Sequence, residues 1–291
     1  MQEIVRYSLL IDAGNTRIKW AVFQAGAMRL PMLWLASGGL GHEEIAQLDR
    51  LPQAIEAQLP QPDHELVTID EVWISNVAGA HIQAQLEQFI QQCFPNATCH
   101  RFTSSERCAG LANCYANPTQ LGSDRFASAL AAHHFFPDTA LVVATCGTAT
   151  TIDAILPGKG FIGGMIAPGL GTMAMSLAKN TAQLPDLTSV ADQLSLPNLF
   201  ADNTQQAIWS GCIHAQLGAL QCAIRDLQRQ TDSAAVELVI SGGAVPYLRP
   251  YFADHLIPCL GSEMSLHVVE NLVLTGLAVV AQTAQLEPGE R

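Results

Sequence analysis

Ser8–Phe23, SLLIDAGNTRIKWAVF, is the stretch from which the rest of the chain is read. Leu9, Leu10 and Ile11 form a short apolar run that stops at Asp12. Ala13-Gly14-Asn15-Thr16 follows, composed of residues that favour tight turns. Beyond it Ile18, Trp20 and Val22 alternate with Arg17, Lys19 and Ala21, the period of a half-buried strand. The stretch therefore predicts a β-hairpin with a carboxylate and small residues at its tip. Such a tip suits a nucleotide phosphate: Gly14 admits close approach, Asn15 and Thr16 add donors, and Asp12 can hold a hydrated Mg²⁺. Lys19 adds positive charge if it curls back. Read alone, the stretch fits an ordinary hairpin with a polar turn equally well.

A second copy tips the balance. Thr139–Leu156, TALVVATCGTATTIDAIL, repeats the apolar run, the Gly-Thr turn and a strand rich in β-branched residues. Gly147 corresponds to Gly14, which places Thr145 where Asp12 stands. Glu237–Val245, ELVISGGAV, adds a third strand-to-glycine junction. The expected fold is α/β, with two duplicated actin-like (ribonuclease H-like) lobes around a nucleotide cleft. Residues 1–136 are expected to form the first lobe. The second is expected over 137–291, with a Gly-Gly corner for the nucleotide.

The whole chain sets bounds on this reading. Its 291 residues are 49% hydrophobic and only 14% charged, so a substantial core is expected and disorder is not. A formal net charge of −12 argues against a nucleic-acid backbone binder, which needs a basic face. The eight cysteines include no CxxC pair, which leaves zinc ribbons and thioredoxin-like chemistry unsupported. With no secretory leader and no run of the roughly 20 apolar residues a bilayer span requires, the expectation is a cytoplasmic protein with buried, reduced thiols. Asn271–Ala284 is uncharged but short, and reads as a core helix.

Between the hairpins the pattern alternates strand and helix, as in an α/β lobe. Met32–Ala36 is expected to continue the sheet, His42–Gln58 and His81–Phe94 to be helical, and Glu71–Val77 and Ala97–Phe102 to be strands. GLANCYANPTQLGSDRFASALAAHHFFP, residues 110–137, is the second informative stretch. Pro118 and Gly122 punctuate a loop, and Ser123 caps a helix that Pro137 stops. Asp124 then lies in the first turn, where the helix dipole favours an ionised carboxylate. That position complements a helix end, and beside a nucleotide cleft it also suits acceptance of a hydroxyl proton. The small-residue segments 126–132 and 211–219 suggest close helix packing between two copies of the chain.

Together these pieces resemble the type III pantothenate kinases, members of the acetate kinase, sugar kinase, chaperone and actin superfamily. The resemblance rests on DAGNTRIKWAVF at 12–23, Tyr115 with NPTQLGSDR at 117–125, GTATTIDA at 147–154, GFIGGMIAPGL at 160–170 and SGGA at 241–244. It implies ATP-dependent phosphorylation of pantothenate, the step committed to coenzyme A. Carried over by position, Asp12, Ala13, Gly14, Asn15, Thr16, Arg17, Ile18 and Lys19 form the first phosphate loop, with Asp12 toward Mg²⁺ through water. Thr148 contacts ATP from the second loop. Tyr115, Gly122, Ser123, Asp124, Arg125 and Thr181 line the pantothenate site, with Asp124 as general base. The family forms homodimers with that site near the subunit interface. It usually carries an acidic residue two positions before the second-loop glycine, where a potassium or ammonium ion binds. Here Thr145 occupies the position, so a weakened monovalent-cation site is expected. Two alternatives share the fold: a nucleotide-binding regulatory (transcription accessory) protein, and a kinase of another small hydroxyl compound. Asp12, Asp124 and Arg125 together argue against a protein that has lost turnover.

Overall fold

The computed structural model describes residues 7–26, 28–58, 68–180, 198–231, 236–260 and 265–286. The chain divides into two compact units, Met1–Phe135 with Asn271–Arg291, and Phe136–Glu270.

The first unit opens with β1 (Tyr7–Ala13), β2 (Arg17–Gln24) and β3 (Ala36–Gly41), followed by a 3₁₀ segment His42–Arg50 and α1 (Leu51–Gln58). Next come β4 (Ile69–Asn76), α2 (Ala80–Cys93), β5 (Thr98–Phe102), a ribbon of β6 (Arg107–Cys108) with β7 (Leu111–Ala112), and α3 (Ser123–Phe135). Its sheet has the order β3-β2-β1-β4-β5. The pairs β1–β2 and β2–β3 are antiparallel, and β1–β4 and β4–β5 are parallel. Leu9, Leu10 and Ile11 are all buried, because β1 is central and covered on both faces.

The second unit repeats the plan with β8 (Ala140–Cys146), β9 (Ala149–Leu156) and β10 (Gly160–Pro168), then α4 (Leu170–Asn180) and α5 (Thr204–Thr231). It continues through β11 (Val236–Ser241), α6 (Val245–Leu248), α7 (Ile257–Leu260) and β12 (Leu266–Val268). Its sheet order is β10-β9-β8-β11-β12, the same third-second-first-fourth-fifth arrangement. The duplication inferred from two hairpins thus extends to whole sheets. β10, which carries the glycines of GFIGG, is a full third strand.

The last helix, α8 (Leu272–Leu286), does not follow the expected boundary at 137–291. It packs on α3 and β1 and so belongs to the first unit. The reason is steric and hydrophobic. Leu272, Leu274, Leu277, Ala278 and Ala281 are buried, and a Cβ on Gly276 would lie 1.9 Å from the Ala127 carbonyl oxygen. Glycine lets the two helices touch backbone to backbone. In consequence the small-residue face at 126–132 is covered inside its own unit, and is not the open surface the sequence suggested for a partner copy.

Two local expectations are also corrected. The third strand begins at Ala36 rather than spanning Met32–Ala36, and it runs through Gly38 and Gly39, which resemble turn residues. A side chain at Gly38 would meet the Trp20 ring at 2.7 Å, so the glycine makes room for tryptophan on the neighbouring strand. The thiols are not uniformly buried: Cys146 and Cys212 are, whereas Cys99, Cys114 and Cys222 are exposed. None of the eight cysteines forms a disulfide. Among the described residues no helix is long and apolar enough to cross a membrane.

Candidate active site

In the first unit the site grows from the end of β1. The register pairs Asp12 with Lys19 on β2 and with Ser75 on β4. The tip closes through the Gly14 amide, which donates to the Arg17 carbonyl at 3.1 Å. Asn15, Thr16 and Arg17 are exposed, while Ala13 and Ile18 beneath them are buried. The protein crowding Asp12 pushes its pKa up to about 7, with Lys19 pulling it down and Asp124 pushing it further up. The last effect places two carboxylates within electrostatic reach of each other.

Asp124 owes its position to the start of α3. Ser123, buried, shares a 2.8 Å hydroxyl hydrogen bond with Ser75, the residue paired with Asp12. That bond ties the helix start to the sheet beside the first tip. The Arg125 amide donates to Asp124 Oδ1 at 2.8 Å, and a Cβ on Gly122 would meet the same oxygen at 2.6 Å. Burial raises the Asp124 pKa, against the opposing pull of the Arg125 amide and guanidinium. Arg125 is itself buried and donates from Nη1 to the Tyr115 hydroxyl at 2.9 Å. Tyr115 is held in turn by Asn113, whose Oδ1 accepts from its amide while Nδ2 donates to the carbonyls of Ser105 and Pro118. Tyr115, Gly122, Ser123, Asp124 and Arg125 therefore form one connected group, and Asp12 and Lys19 lie in the same unit. Thr181 lies outside the described residues.

The second unit has its own tip between β8 and β9. Gly147 closes it by donating to the Ala149 carbonyl at 3.0 Å. The Thr148 carbonyl accepts from the Gly169 amide at 2.9 Å and from the Thr172 hydroxyl at 2.8 Å, which fastens the tip to the start of α4. Any side chain at Gly169 would overlap the carbonyl oxygens of Gly147 and Thr148. Gly242, at φ +109°, lies against the Cys146 backbone, and the Ala244 amide donates to the Cys146 carbonyl at 3.0 Å. The SGGA corner thus buttresses the second tip. Thr145 pairs with Thr151 and Ser241, so hydroxyls flank it where Asp12 faces Lys19.

Two positions in these sites escaped the sequence reading, Ser75 and Thr172. Only Ser75 carried a signal, as a polar residue at the end of an otherwise apolar strand. For the chemistry, the Asp12 carboxyl offers an oxygen ligand of the kind a hydrated divalent cation takes, and Lys19, its partner in the register, offers positive charge to an anion. Among the described residues no cluster of three or more His, Cys, Asp and Glu could hold a metal ion.

The paired sheets are those of actin-like, two-unit proteins. A structure from Campylobacter jejuni described as a Baf family transcriptional activator superposes with a TM-score of 0.53 at 19% identity, covering 96% of this chain and 98% of its own. Glucokinase from Balamuthia mandrillaris gives 0.51 at 14% identity, covering 95% and 94%. These likenesses define the fold. The family follows from sequence: a type III pantothenate kinase profile matches residues 8–226. The type III pantothenate kinase of Janthinobacterium sp. (strain Marseille) is 45% identical over 94% of this chain and 96% of its own length. That of Herminiimonas arsenicoxydans is 40% identical over the same shares. The chain belongs to the type III pantothenate kinase family.

Proposed function

We propose that this chain transfers the γ-phosphoryl group of ATP to the primary hydroxyl of pantothenate, giving 4′-phosphopantothenate in the first step of coenzyme A biosynthesis. The observation that carries the reading is the joining of family membership to one connected group, in which Asp124 lies beside Arg125 and within electrostatic reach of Asp12. Asp12–Lys19 are assigned to the phosphates of ATP, and Thr148 to ATP from the second unit. Mg²⁺ bound through Asp12 and water would neutralise phosphate charge. Pantothenate is a carboxylate, and the buried guanidinium of Arg125, fixed on Tyr115, supplies the opposite charge.

Phosphoryl transfer needs chiefly positioning and charge stabilisation. The substrate oxygen bonds to the γ-phosphorus as the bond to the departing ADP oxygen breaks, and the hydroxyl proton passes to Asp124. A carboxylate whose pKa is raised by burial is a better proton acceptor than a solvated one. Asp124→Asn is expected to lower kcat by roughly 10²–10⁴-fold with little change in nucleotide affinity. Coupled detection of ADP with pantothenate as acceptor makes the measurement, and near-normal turnover in the folded variant refutes the assignment. Absence of turnover by the unaltered chain with ATP and pantothenate would favour the regulatory reading of the fold.

The family resemblance also supports a homodimer, with α5 offering exposed Gly211, Ala215 and Gly218 as a surface for close packing. A reduced, cytoplasmic setting accords with eight cysteines that form no disulfide.

A further inference from the structure

His42 follows the last residue of β3 and is half-buried beside the first tip. The register explains its reach. Gly41 pairs with Arg17, so the next residue stands level with the tip formed by residues 14–17. The turn that presents it is itself clamped: the Gly41 amide donates to Glu44 at 2.9 Å, and a Cβ on Gly41 would overlap the Glu43 carboxylate. From this platform His42 Nε2 lies 2.8 Å from the Gly14 carbonyl oxygen. A carbonyl only accepts, so Nε2 carries the proton.

We propose that His42 is a positioning residue for nucleotide binding, one that sets the polarity of the Gly14–Asn15 peptide. A trans peptide is planar, and its C=O and N–H point in opposite directions. Holding the Gly14 oxygen on His42 turns the Asn15 amide away from β3, toward the open side of the tip where Asn15 and Thr16 are exposed. An anion there meets an N–H donor. With the anchor gone, glycine at this position allows the peptide to rotate and present its carbonyl dipole, which repels phosphate. The imidazole thereby acts on ATP without touching it. The inference rests on the assignment of Asp12–Lys19 to ATP.

The test compares the full-length chain with His42→Leu, which has no donor, His42→Gln, whose amide can reach the carbonyl, and Asp12→Asn. Steady-state KM values for ATP and pantothenate are read together with MgADP affinity by titration calorimetry. One anchoring hydrogen bond corresponds to roughly a three- to tenfold change in affinity. His42→Leu should raise KM for ATP and weaken MgADP by that factor, leave KM for pantothenate unchanged, and be largely restored by Gln. Unchanged ATP and MgADP affinity in His42→Leu, with Asp12→Asn impaired, overturns the role of His42 alone. If Asp12→Asn also binds nucleotide normally, the assignment of the tip to ATP fails and the inference falls with it. Equal losses for both substrates, or a failure of Gln to restore, indicate a merely structural histidine and likewise overturn it. Should His42→Leu lose its cooperative melting transition, His42→Asn, too short to reach Gly14, replaces it in the same comparison.

Discussion

Asp12, at the end of β1, carries a cost in stability that its surroundings impose. Its pKa is raised from an ordinary 3.8 to about 7, chiefly because surrounding protein removes water from the carboxyl. The linkage follows from that sign. Between pH 3.8 and about 7 the folded state holds the proton more tightly than the unfolded state, so this group lowers stability progressively as pH rises through that window. Above about pH 7 the full penalty is present, and the proposed cation would offset it. Asp12→Asn removes the ionisable group and should raise the melting temperature of the ligand-free protein at pH 8, by roughly 2–4 °C for each kcal/mol relieved. The gain should vanish near pH 4, and catalysis should be lost throughout. In the unaltered chain, kcat/KM for MgATP should fall as pH drops below 7, because the protonated carboxyl is a poor metal ligand. A melting temperature at pH 8 that falls on Asp12→Asn contradicts this account.

Comparison of the duplicated hairpins moves the argument to the elements. Both tips close with a glycine amide bonded back to the returning strand, at Gly14 and Gly147. The register that sets Asp12 against Lys19 and Ser75 sets Thr145 against Thr151 and Ser241. The serine is common to both units and the carboxylate is not. Unit charges about 4 Å apart interact by roughly 4 kcal/mol at an effective dielectric near 20. A threonine hydroxyl offers only a dipole, so most of that attraction for a monovalent cation is missing. Activity is therefore expected to depend little on potassium or ammonium. Titration of potassium into a sodium- or Tris-buffered assay checks this, and steep saturable activation by potassium would show that other ligands restore the site. Both hairpins were legible in the sequence because turn residues and period-two alternation are local signals. The 42–58 segment was legible only in part: helical spacing is present, yet His42–Arg50 is 3₁₀ and α1 begins at Leu51. β3 was misplaced because its Gly38 answers to Trp20 on another strand, and no local pattern records that contact.

At the scale of the whole molecule, the chain leaves the first unit after α3, builds the second, and returns with α8. The two turns and the start of α3 were legible from sequence because DAGNT, LGSDR and GTATT are each contiguous, although Ser123 is the first residue of the helix rather than its cap and bonds Ser75. The ownership of α8 was not, since it rests on Gly276 meeting Ala127 nearly 150 residues earlier, and two apolar helices carry no label of their partner. That topology has a consequence for stability. Leu272, Leu274, Leu277, Ala278 and Ala281 are buried in the first unit, and fully burying a single leucine is worth about 1.5–3 kcal/mol. The three leucines together amount to roughly 4.5–9 kcal/mol, comparable with the roughly 5–15 kcal/mol by which a whole domain is stable, and α8 provides them as one element. A chain ended after Glu270 should therefore fail in its first unit while the second, Phe136–Glu270, retains its complete sheet. Limited proteolysis of the truncated chain, read by mass spectrometry, should yield a resistant fragment near residues 136–270 and rapid loss of residues 1–135. The boundary expected from sequence alone predicts the reverse, because it removes a helix from the second lobe and leaves the first whole. Survival of an intact 1–135 fragment would mean that α8 is dispensable to the unit it covers.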